Sequence, residues 1–209
     1  MLRQLRPAVL SVLAMAIVLG GVYPLVITGI ARAAFPWQAN GSLVEKDGQV
    51  VGSNLIGQSF TGPRYFHPRP SAAGKGYDAA NSGGTNLGPT SDKLINGVHK
   101  KLPDGKDDPG NFDGIKDLAA AYRKENKLAE DWPLPADAVT RSASGLDPDI
   151  SVANAGLQVR RVAEARGVAE EVVRGLVARH TEPRTLGFLG EPRVKVLALN
   201  MALDSQTRP

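Results

Sequence analysis

Cysteine is absent from this chain of 209 residues, and aromatic residues make up only 5% of it. Without thiols, the protein has no disulfide framework, no thiolate metal site and no cysteine nucleophile. Its stability must therefore come from packing and hydrogen bonding. The part of the chain after Arg32 is long enough to bury a core as a single domain.

The chain also lacks the excess of basic residues that a nucleic-acid partner requires. The net charge of +4 includes Arg3, Arg6 and Arg32, and the remainder of the chain has 22 basic residues against 21 acidic ones. Binding to a phosphate backbone needs a clear local excess of Lys and Arg. The sequence therefore predicts no DNA or RNA partner.

Common catalytic motifs are missing as well. The sequence has no G-x-x-x-x-G-K-[ST] phosphate loop, no G-x-S-x-G and no S-x-x-K. The three histidines, His67, His99 and His180, are far apart and show no H-E-x-x-H spacing. We therefore expect no catalytic residue, no metal site and no cofactor bound by this chain itself.

Two loops invite a ligand interpretation. The acidic segment 102–114 fails the calcium-loop pattern, because counting from Asp104 puts Lys106 at the third position and Pro109 at the sixth. We interpret it as a solvated loop. The glycine-rich segment 83–88 could cradle an anion with its backbone amides, or its glycines could simply permit tight turns.

One long hydrophobic run is present, from Pro7 to Ala31, with 25 uncharged residues of which twelve are Leu, Ile or Val. As a helix it would be about 36 Å long, enough to cross a hydrocarbon core of about 30 Å. Residues 7–31 are therefore predicted to form a transmembrane helix. A cleaved secretory signal ending near Ala31–Ala34 is the alternative, but such signals have apolar regions of only about 7–15 residues.

The charges that flank this run predict its orientation. Arg3, Arg6 and the terminal amine precede the run, whereas only Arg32 follows it closely. Under the positive-inside rule, residues 1–6 are cytoplasmic. Residues 33–209 would then form one extracytoplasmic domain of a single-pass membrane protein.

Turn and loop signals organise the first part of that domain. Asp47-Gly48 lies between two short runs that contain Val, which predicts a β-hairpin. The segment 57–90 is rich in glycine and proline but holds four of the eleven aromatic residues. Because a flexible linker has no reason to contain aromatics, we expect ordered, irregular backbone there.

Periodic apolar residues predict helices further along the chain. Ser91 is a plausible N-cap for a helix with Leu94, Val98 and Leu102 on one stripe, and the run 115–122 predicts another helix. Ser151 should cap a helix that ends at Gly167, and a further helix follows. Short strands are expected at 136–140 and 193–201.

The predicted fold class is therefore α+β. One N-terminal transmembrane helix is followed by a single soluble domain with a small β-sheet and packed helices.

Several separated blocks of the sequence carry a family resemblance. They are YPLVITG at 23–29, GSNLIGQ at 52–58, YFHPRPS at 65–71, SGGTNLGP at 82–89, SASGLDPDIS at 142–151, HTE at 180–182 and GEPRVKVLALN at 190–200. In their order and spacing, the chain resembles from end to end the C subunit of the bacterial Kdp-type potassium-transporting ATPase. The stretch 101–132 is longer than in compact family members, and the resemblance assigns it no role.

The resemblance implies a place in an ATP-driven, high-affinity potassium import complex of the bacterial inner membrane. Its partners would be a channel-like A subunit, a P-type ATPase B subunit, a small F subunit and membrane lipid. A P-type pump needs D-K-T-G, and Asp92-Lys93-Leu94 does not match it. This chain is therefore expected to be a noncatalytic accessory subunit, needed for assembly or raising the affinity of the B subunit for ATP as a catalytic chaperone.

The resemblance also places a proposed nucleotide contact at Gln158. If residues 33–209 lie outside the cytoplasm, Gln158 cannot meet ATP bound on the inner side, and we favour the topology. A role over the outer mouth of the potassium pathway, biasing transporter conformation, is physically easier.

Partner contact is expected in the loop that contains Tyr65, Phe66, Arg69 and Asn86, because aromatics and Arg dominate interface energetics. Simple packing of the loop is the alternative explanation for these residues. The competing function for the whole chain is a membrane-anchored extracytoplasmic enzyme whose active site has no familiar motif.

Overall fold

The computed structural model describes residues 2–206 and divides the chain into two compact units, Met1–Ser53 and Asn54–Pro209. Helices and small antiparallel sheets occur together, preceded by a long apolar helix. The predicted α+β class, with one candidate membrane helix before a soluble domain, is therefore confirmed.

The first unit begins with the apolar helix. It consists of α1 (Leu2–Ile17), a π-helical turn (Val18–Val22) and α2 (Tyr23–Ala34). Within the described residues, Arg3–Ala34 is the one helix long and apolar enough to cross a membrane, and it includes the predicted span. The π-helical turn contains Gly20 and precedes Pro24, which has no N–H to offer the carbonyl of Gly20 and would crowd it.

A short helix and the predicted hairpin complete this unit. Helix α3 (Pro36–Ala39) is followed by strands β1 (Leu43–Lys46) and β2 (Gln49–Ser53), which pair antiparallel. Asp47 and Gly48 both adopt positive φ, at 53° and 76°. That backbone matches the twist of a two-residue hairpin, so the Asp-Gly turn explains the pairing.

The core of the second unit is formed by three helices around a small sheet. The helices are α7 (Val152–Arg166), α8 (Glu170–Arg179) and α9 (Val196–Gln206). The sheet has the order β3-β5-β4, all antiparallel, with strands β3 (Asp149–Ser151), β4 (Thr181–Glu182) and β5 (Arg193–Lys195). The main cluster of buried side chains includes Phe66, Ile150, Val159, Val162, Val173, Leu176, Val194, Leu199 and Leu203.

The predicted ends of α7 are confirmed. The Ser151 hydroxyl accepts a hydrogen bond from the amide of Asn154 at 3.0 Å, which satisfies one free donor of the first turn. At the other end, Gly167 adopts a left-handed conformation with φ of 68°. A residue without Cβ accepts that conformation at no steric cost, so the helix ends there.

Three sequence-based predictions are wrong in detail. The expected strand at 136–140 is the short helix α6 (Ala136–Val139), which Pro135 precedes as N-cap. The expected strand at 193–201 ends at Lys195, and the chain continues as α9. A continuous apolar run does not distinguish a buried strand from a buried helix, and Leu, Ala and Met after Val196 favour the helix.

The third correction concerns the helix that begins after Ser91. Helix α4 spans only Asp92–Asn96, because Gly97 leaves the helical region with φ of 79°. Val98 then pairs with Phe112 instead of continuing a helical stripe. Beyond it lie the acidic loop and helix α5 (Ile115–Glu125), which was predicted.

Irregular backbone fills the segment 57–90 as expected, with only a short 3-10 helix at Ala79–Asn81. It approaches the segment 142–147 so closely that glycine is required at the contact. The amide of Gly57 donates to the carbonyl of Leu146 at 2.8 Å, and a Cβ at position 57 would lie 2.4 Å from the carbonyl oxygen of Asp147. Backbone rather than a flexible side chain blocks that space.

We predict opposite effects for alanine at two glycines. Gly57→Ala should lower the free energy of unfolding by about 2 kcal/mol, because the added methyl overpacks a backbone contact. Gly156→Ala in α7 should raise it by about 0.5–1 kcal/mol, because no atom beyond the neighbouring backbone of α7 lies within 4 Å of the new Cβ and alanine favours helix. Denaturant titration of the full chain in detergent micelles measures both free energies of unfolding. If both variants changed stability equally, the close backbone contact at Gly57 would be contradicted.

Candidate functional site

Two side-chain amides form hydrogen bonds with the backbone of Phe66 and His67, in the way that a neighbouring β-strand would. Asn200 on α9 accepts from the amide of Phe66 at 2.8 Å and donates to its carbonyl at 2.9 Å. Gln158 on α7 accepts from the amide of His67 at 2.7 Å and donates to its carbonyl at 3.0 Å. Consecutive residues of an extended chain face opposite ways, so the segment is held between α7 and α9.

A buried arginine extends this arrangement toward Pro63. Arg161 is 6% exposed, and one of its terminal nitrogens donates to the carbonyls of Pro63 and Tyr65 at 2.8 and 3.0 Å. Its Nε donates to the side chain of Asn126 at 3.0 Å. Burial lowers the pKa of Arg161, although a guanidinium remains charged. We call the backbone of residues 63–67 the clamped segment.

Gln158 has no hydrogen-bonding capacity left for a ligand. Its side chain is 1% exposed, and its oxygen accepts from both His67 and Arg161. Its nitrogen donates both protons, to the carbonyl of His67 and to the side-chain oxygen of Asn154 at 2.9 Å. A nucleotide could reach this amide only if the clamped segment detached from α7.

A second layer of polar contacts fixes Asn154. The Tyr122 hydroxyl donates to the side-chain oxygen of Asn154 at 2.8 Å, and the side-chain nitrogen of Asn154 donates to Asp137 at 3.0 Å. Burial raises the pKa of Tyr122, so the hydroxyl keeps the proton that it donates. Asp137 also accepts from the backbone and hydroxyl of Ser151. The clamped segment is thereby tied to the cap of α7.

The His67 ring links the clamped segment to α5. Nδ1 lies 2.8 Å from a carboxylate oxygen of Glu125, and Nε2 lies 2.9 Å from the carbonyl of Gly62. The hydrogen bond from His67 lowers the pKa of Glu125, and the nearby charge of Arg161 adds to this effect. Glu125 therefore remains ionised into mildly acidic conditions.

Arg69 joins the loop to the segment 140–147. Its guanidinium pairs with Asp147 at 2.8 Å, and its second terminal nitrogen faces Thr140. Its Nε is buried without a hydrogen-bond partner. The Tyr77 hydroxyl donates to the Arg69 carbonyl at 2.7 Å, and burial, with the charge of Asp147, raises the pKa of that hydroxyl.

Ser71 and two glycines bring the same surfaces together. The Ser71 hydroxyl donates to the Gly145 carbonyl at 2.6 Å and accepts from the amide of Tyr77. A Cβ at Gly145 would lie 2.7 Å from the amide nitrogen of Ala73, and one at Gly84 would lie 2.8 Å from the carbonyl of Ala143. In the glycine-rich segment, the Gly83 amide already donates to Ser144, which favours a turn over an anion cradle.

The four residues expected to contact partners have different surroundings. Tyr65 is half-buried against Phe60 and below Arg166, and its hydroxyl donates to Asp204 at 3.2 Å. Phe66 has no exposed surface, so the partner contact expected of it is not a direct one in this structure.

The other two lie nearer the surface. Arg69 is partly exposed beside Asp147, and Asn86 is exposed with a positive φ of 53°. Asn tolerates that backbone conformation better than most residues.

A cleft of about 310 Å³ opens between this loop and α5. The polar side chains at its wall are Ser59, His67, Arg69, Ser71, Tyr77, Tyr122 and Glu125. The rest of the wall is largely apolar, with Phe60, Pro68, Pro70, Leu118, Ala121 and Ala138. Most of these polar side chains make hydrogen bonds or ion pairs within the protein.

One group of possible metal ligands lies elsewhere. His99, Asp113 and Asp117 bring ligand atoms within 4.8 Å of one another, although the scattered histidines predicted no metal site. Asp117 accepts from His99 at 2.9 Å and from the amide of Gly114 at 2.8 Å. These bonds lower the pKa of Asp117, with the Gly114 amide as the main cause. Capping of α5 accounts for the position of Asp117.

The comparisons with known proteins identify the family. The family model described as KdpC, the K+-transporting ATPase c chain, matches residues 5–205. The chain belongs to the KdpC family.

Relatives from three bacteria agree with this assignment. The "Potassium-transporting ATPase KdpC subunit" of Mycobacterium tuberculosis strain H37Rv is 52% identical over 98% of this chain and 99% of its own length. Proteins of the same name from Koribacter versatilis and Caulobacter vibrioides are 50% and 52% identical, each over the whole of this chain and 97% and 96% of their own lengths. The resemblance drawn from the sequence blocks is thus confirmed.

Membership of the KdpC family makes the chain a component of a potassium-transport complex with several subunits. The family blocks at 65–71, 82–89 and 142–151 meet in the structure through Arg69, Ser71 and Gly84. Asn200, Asn154 and Arg161 also belong to this polar centre, and the sequence motifs did not predict them. A signal was available, because Asn200 interrupts the apolar run of α9.

We predict that Gln158→Ala destabilises the full chain by about 3 kcal/mol, because it leaves buried partners unsatisfied on the clamped segment and on Arg161. Arg160→Ala, the adjacent exposed position with a surface pair to Glu164, should change stability by less than about 0.5 kcal/mol. Denaturant titration in micelles measures both. Near-equal values would show that the clamp contributes little.

We also predict an acid-sensitive component of stability from Glu125. Its pKa in the folded protein is lowered from the ordinary value of 4.5, so its contribution is complete above that pH and is lost as pH falls through the folded value. Stability should therefore fall more steeply between about pH 5 and pH 3 in the wild type than in Glu125→Gln. Glu171→Gln, at an exposed position on α8, should retain the wild-type slope.

Proposed function

We propose that this chain is the noncatalytic accessory subunit of an ATP-driven potassium import complex, and that catalysis belongs to a partner subunit. The observation that carries this proposal is the saturation of the polar centre. The amide of Gln158 makes all of its hydrogen bonds to the chain's own backbone and side chains, as expected of a scaffold. Membership of the KdpC family supports its place in a potassium-transporting complex.

The proposed partners are a channel-like A subunit, a P-type ATPase B subunit and a small F subunit, together with membrane lipid. The charges at Arg3, Arg6 and Arg32 support a single pass through the bacterial inner membrane with the amino terminus in the cytoplasm. Residues 33–209 would then lie outside the cytoplasm.

ATP, in this proposal, binds to the partner subunit and not to Gln158. The four hydrogen bonds of the buried amide oppose direct nucleotide contact, as does the proposed topology. A chaperone effect on ATP affinity would instead arise from differential contacts with two states of the transporter. Substitutions at Gln158 would act by releasing the clamped segment.

The surface proposed to contact a partner is the exposed side of the loop that contains Tyr65, Arg69 and Asn86. The backbone of the clamped segment, which carries Tyr65, is already fixed by its hydrogen bonds to the domain. Little conformational entropy of this backbone remains to be lost on docking. Phe66 contributes by anchoring this loop in the core. A position over the outer mouth of the potassium pathway fits such a rigid, catalytically inactive surface.

Affinity purification tests this proposal. A tag on this chain in mild detergent should recover the other subunits with potassium-stimulated ATPase activity. In sealed spheroplasts, added protease should remove residues 33–209 from the outside.

Recovery of the chain alone, or turnover of a substrate by the purified chain, would favour the alternative of a membrane-anchored enzyme. Protection of residues 33–209 in spheroplasts, with cleavage only after lysis, would invert the orientation.

A further inference from the structure

The segment between β4 and β5 forms a hairpin with an apolar end. Thr185 and Leu189 pair across it, and the turn between them contains Leu186, Gly187 and Phe188. Leu186 is 79% exposed and Phe188 is 68% exposed. Leu186 is more exposed than any large hydrophobic side chain described for the apolar helix, where Leu25 reaches 74%. We call residues 185–189 the apolar tip.

The backbone of the tip is strained at its most exposed side chain. Leu186 adopts φ of 54°, and Gly187 follows with φ of 83°. A residue with Cβ is disfavoured in this left-handed region, and leucine gains nothing there from local hydrogen bonding. Neither burial nor backbone preference explains a leucine at this position. Strain of this kind is concentrated at functional surfaces.

The cations at the base of the hairpin are paired with carboxylates. Arg184 pairs with Glu191 at 2.6 Å. Arg193 pairs with Glu182 at 2.9 Å, and Lys195 with the same carboxylate at 2.7 Å. The pairs Arg184–Glu191 and Arg193–Glu182 join the two sides of the hairpin at its base.

The charges also indicate which kind of partner fits the tip. Segments that bind anionic lipid headgroups offer unpaired Lys or Arg beside their apolar residues. Here each of the three cations of the hairpin, Arg184, Arg193 and Lys195, already has an acidic partner. The arrangement favours an apolar recess of another protein over a lipid surface.

We propose that the apolar tip is a docking element that inserts Leu186 and Phe188 into an apolar recess of another subunit of the complex. This inference rests on the proposed role as an accessory subunit and adds a second contact, separate from the loop at Tyr65 and Arg69. Pre-formed aromatic and aliphatic anchors that enter a partner's pocket supply much of the affinity of protein interfaces.

The test is co-purification from membranes with a tag on this chain. Leu186→Asn with Phe188→Ser removes the apolar contact, and Asn accepts the left-handed backbone. We expect about tenfold weaker retention of the other subunits, the size typical for loss of an interface anchor. The matched control is Val172→Ser on α8, 47% exposed, which should retain them as the wild type does.

The double variant should melt at the wild-type temperature or above it as the full chain in micelles, because strain is removed and no buried contact is lost. If the double variant melts at a lower temperature than the wild type, photo-cross-linking tests the docking contact without it. A photoreactive phenylalanine analogue at position 188 in the otherwise unchanged complex should form an adduct with another subunit, whereas the same probe at position 172 should not.

Two results would overturn the docking proposal. One is full retention of the other subunits by the double variant, and the second is an adduct at position 188 with lipid alone or with nothing. If instead the wild-type chain recovers no partner, the proposed function itself fails. The two failures are thus distinguishable.

Discussion

The second unit depends on a backbone segment held by side-chain amides. Gln158 and Asn200 each make two hydrogen bonds to one residue, and together they bind Phe66 and His67 between α7 and α9. Removing either amide would leave buried backbone groups unpaired, which is more unfavourable than losing a surface bond. The long irregular loop can be ordered without a sheet of its own because these amides replace a neighbouring strand.

Local sequence signals predicted the elements whose ends have distinct chemistry. Asp47-Gly48 predicted the hairpin and Ser151 with Gly167 predicted both ends of α7, since each relies on a specific backbone angle or cap. The apolar run after Val196 fits a buried strand or a buried helix, because apolar residues alone do not set a period. The helix propensity of Leu, Ala and Met favours the helix, and burial against α8 and the sheet stabilises it.

The sequence blocks singled out the loop of the polar centre but not the contacts that hold it. The structure brings the blocks containing Arg69, Ser71 and Gly145 into contact, and the partner role expected of this loop stays a prediction. That Gln158 faces the backbone of His67, 91 residues away in the chain, could not be read from spacing. Long-range pairing of buried polar groups is a tertiary property, and only the interruption of an apolar stripe by Asn or Gln hints at it.

Proline placement at the base of the tip affects the behaviour of the chain before assembly. Strand β4 has two residues at the edge of its sheet, and Pro183 follows at once. An edge this short, ended by a residue without N–H, gives another chain no row of donors and acceptors to extend. An unassembled copy can thus expose the apolar tip without offering a strand edge for pairing with another copy. Aggregation through such strand pairing is the risk for a subunit that has not yet joined its complex.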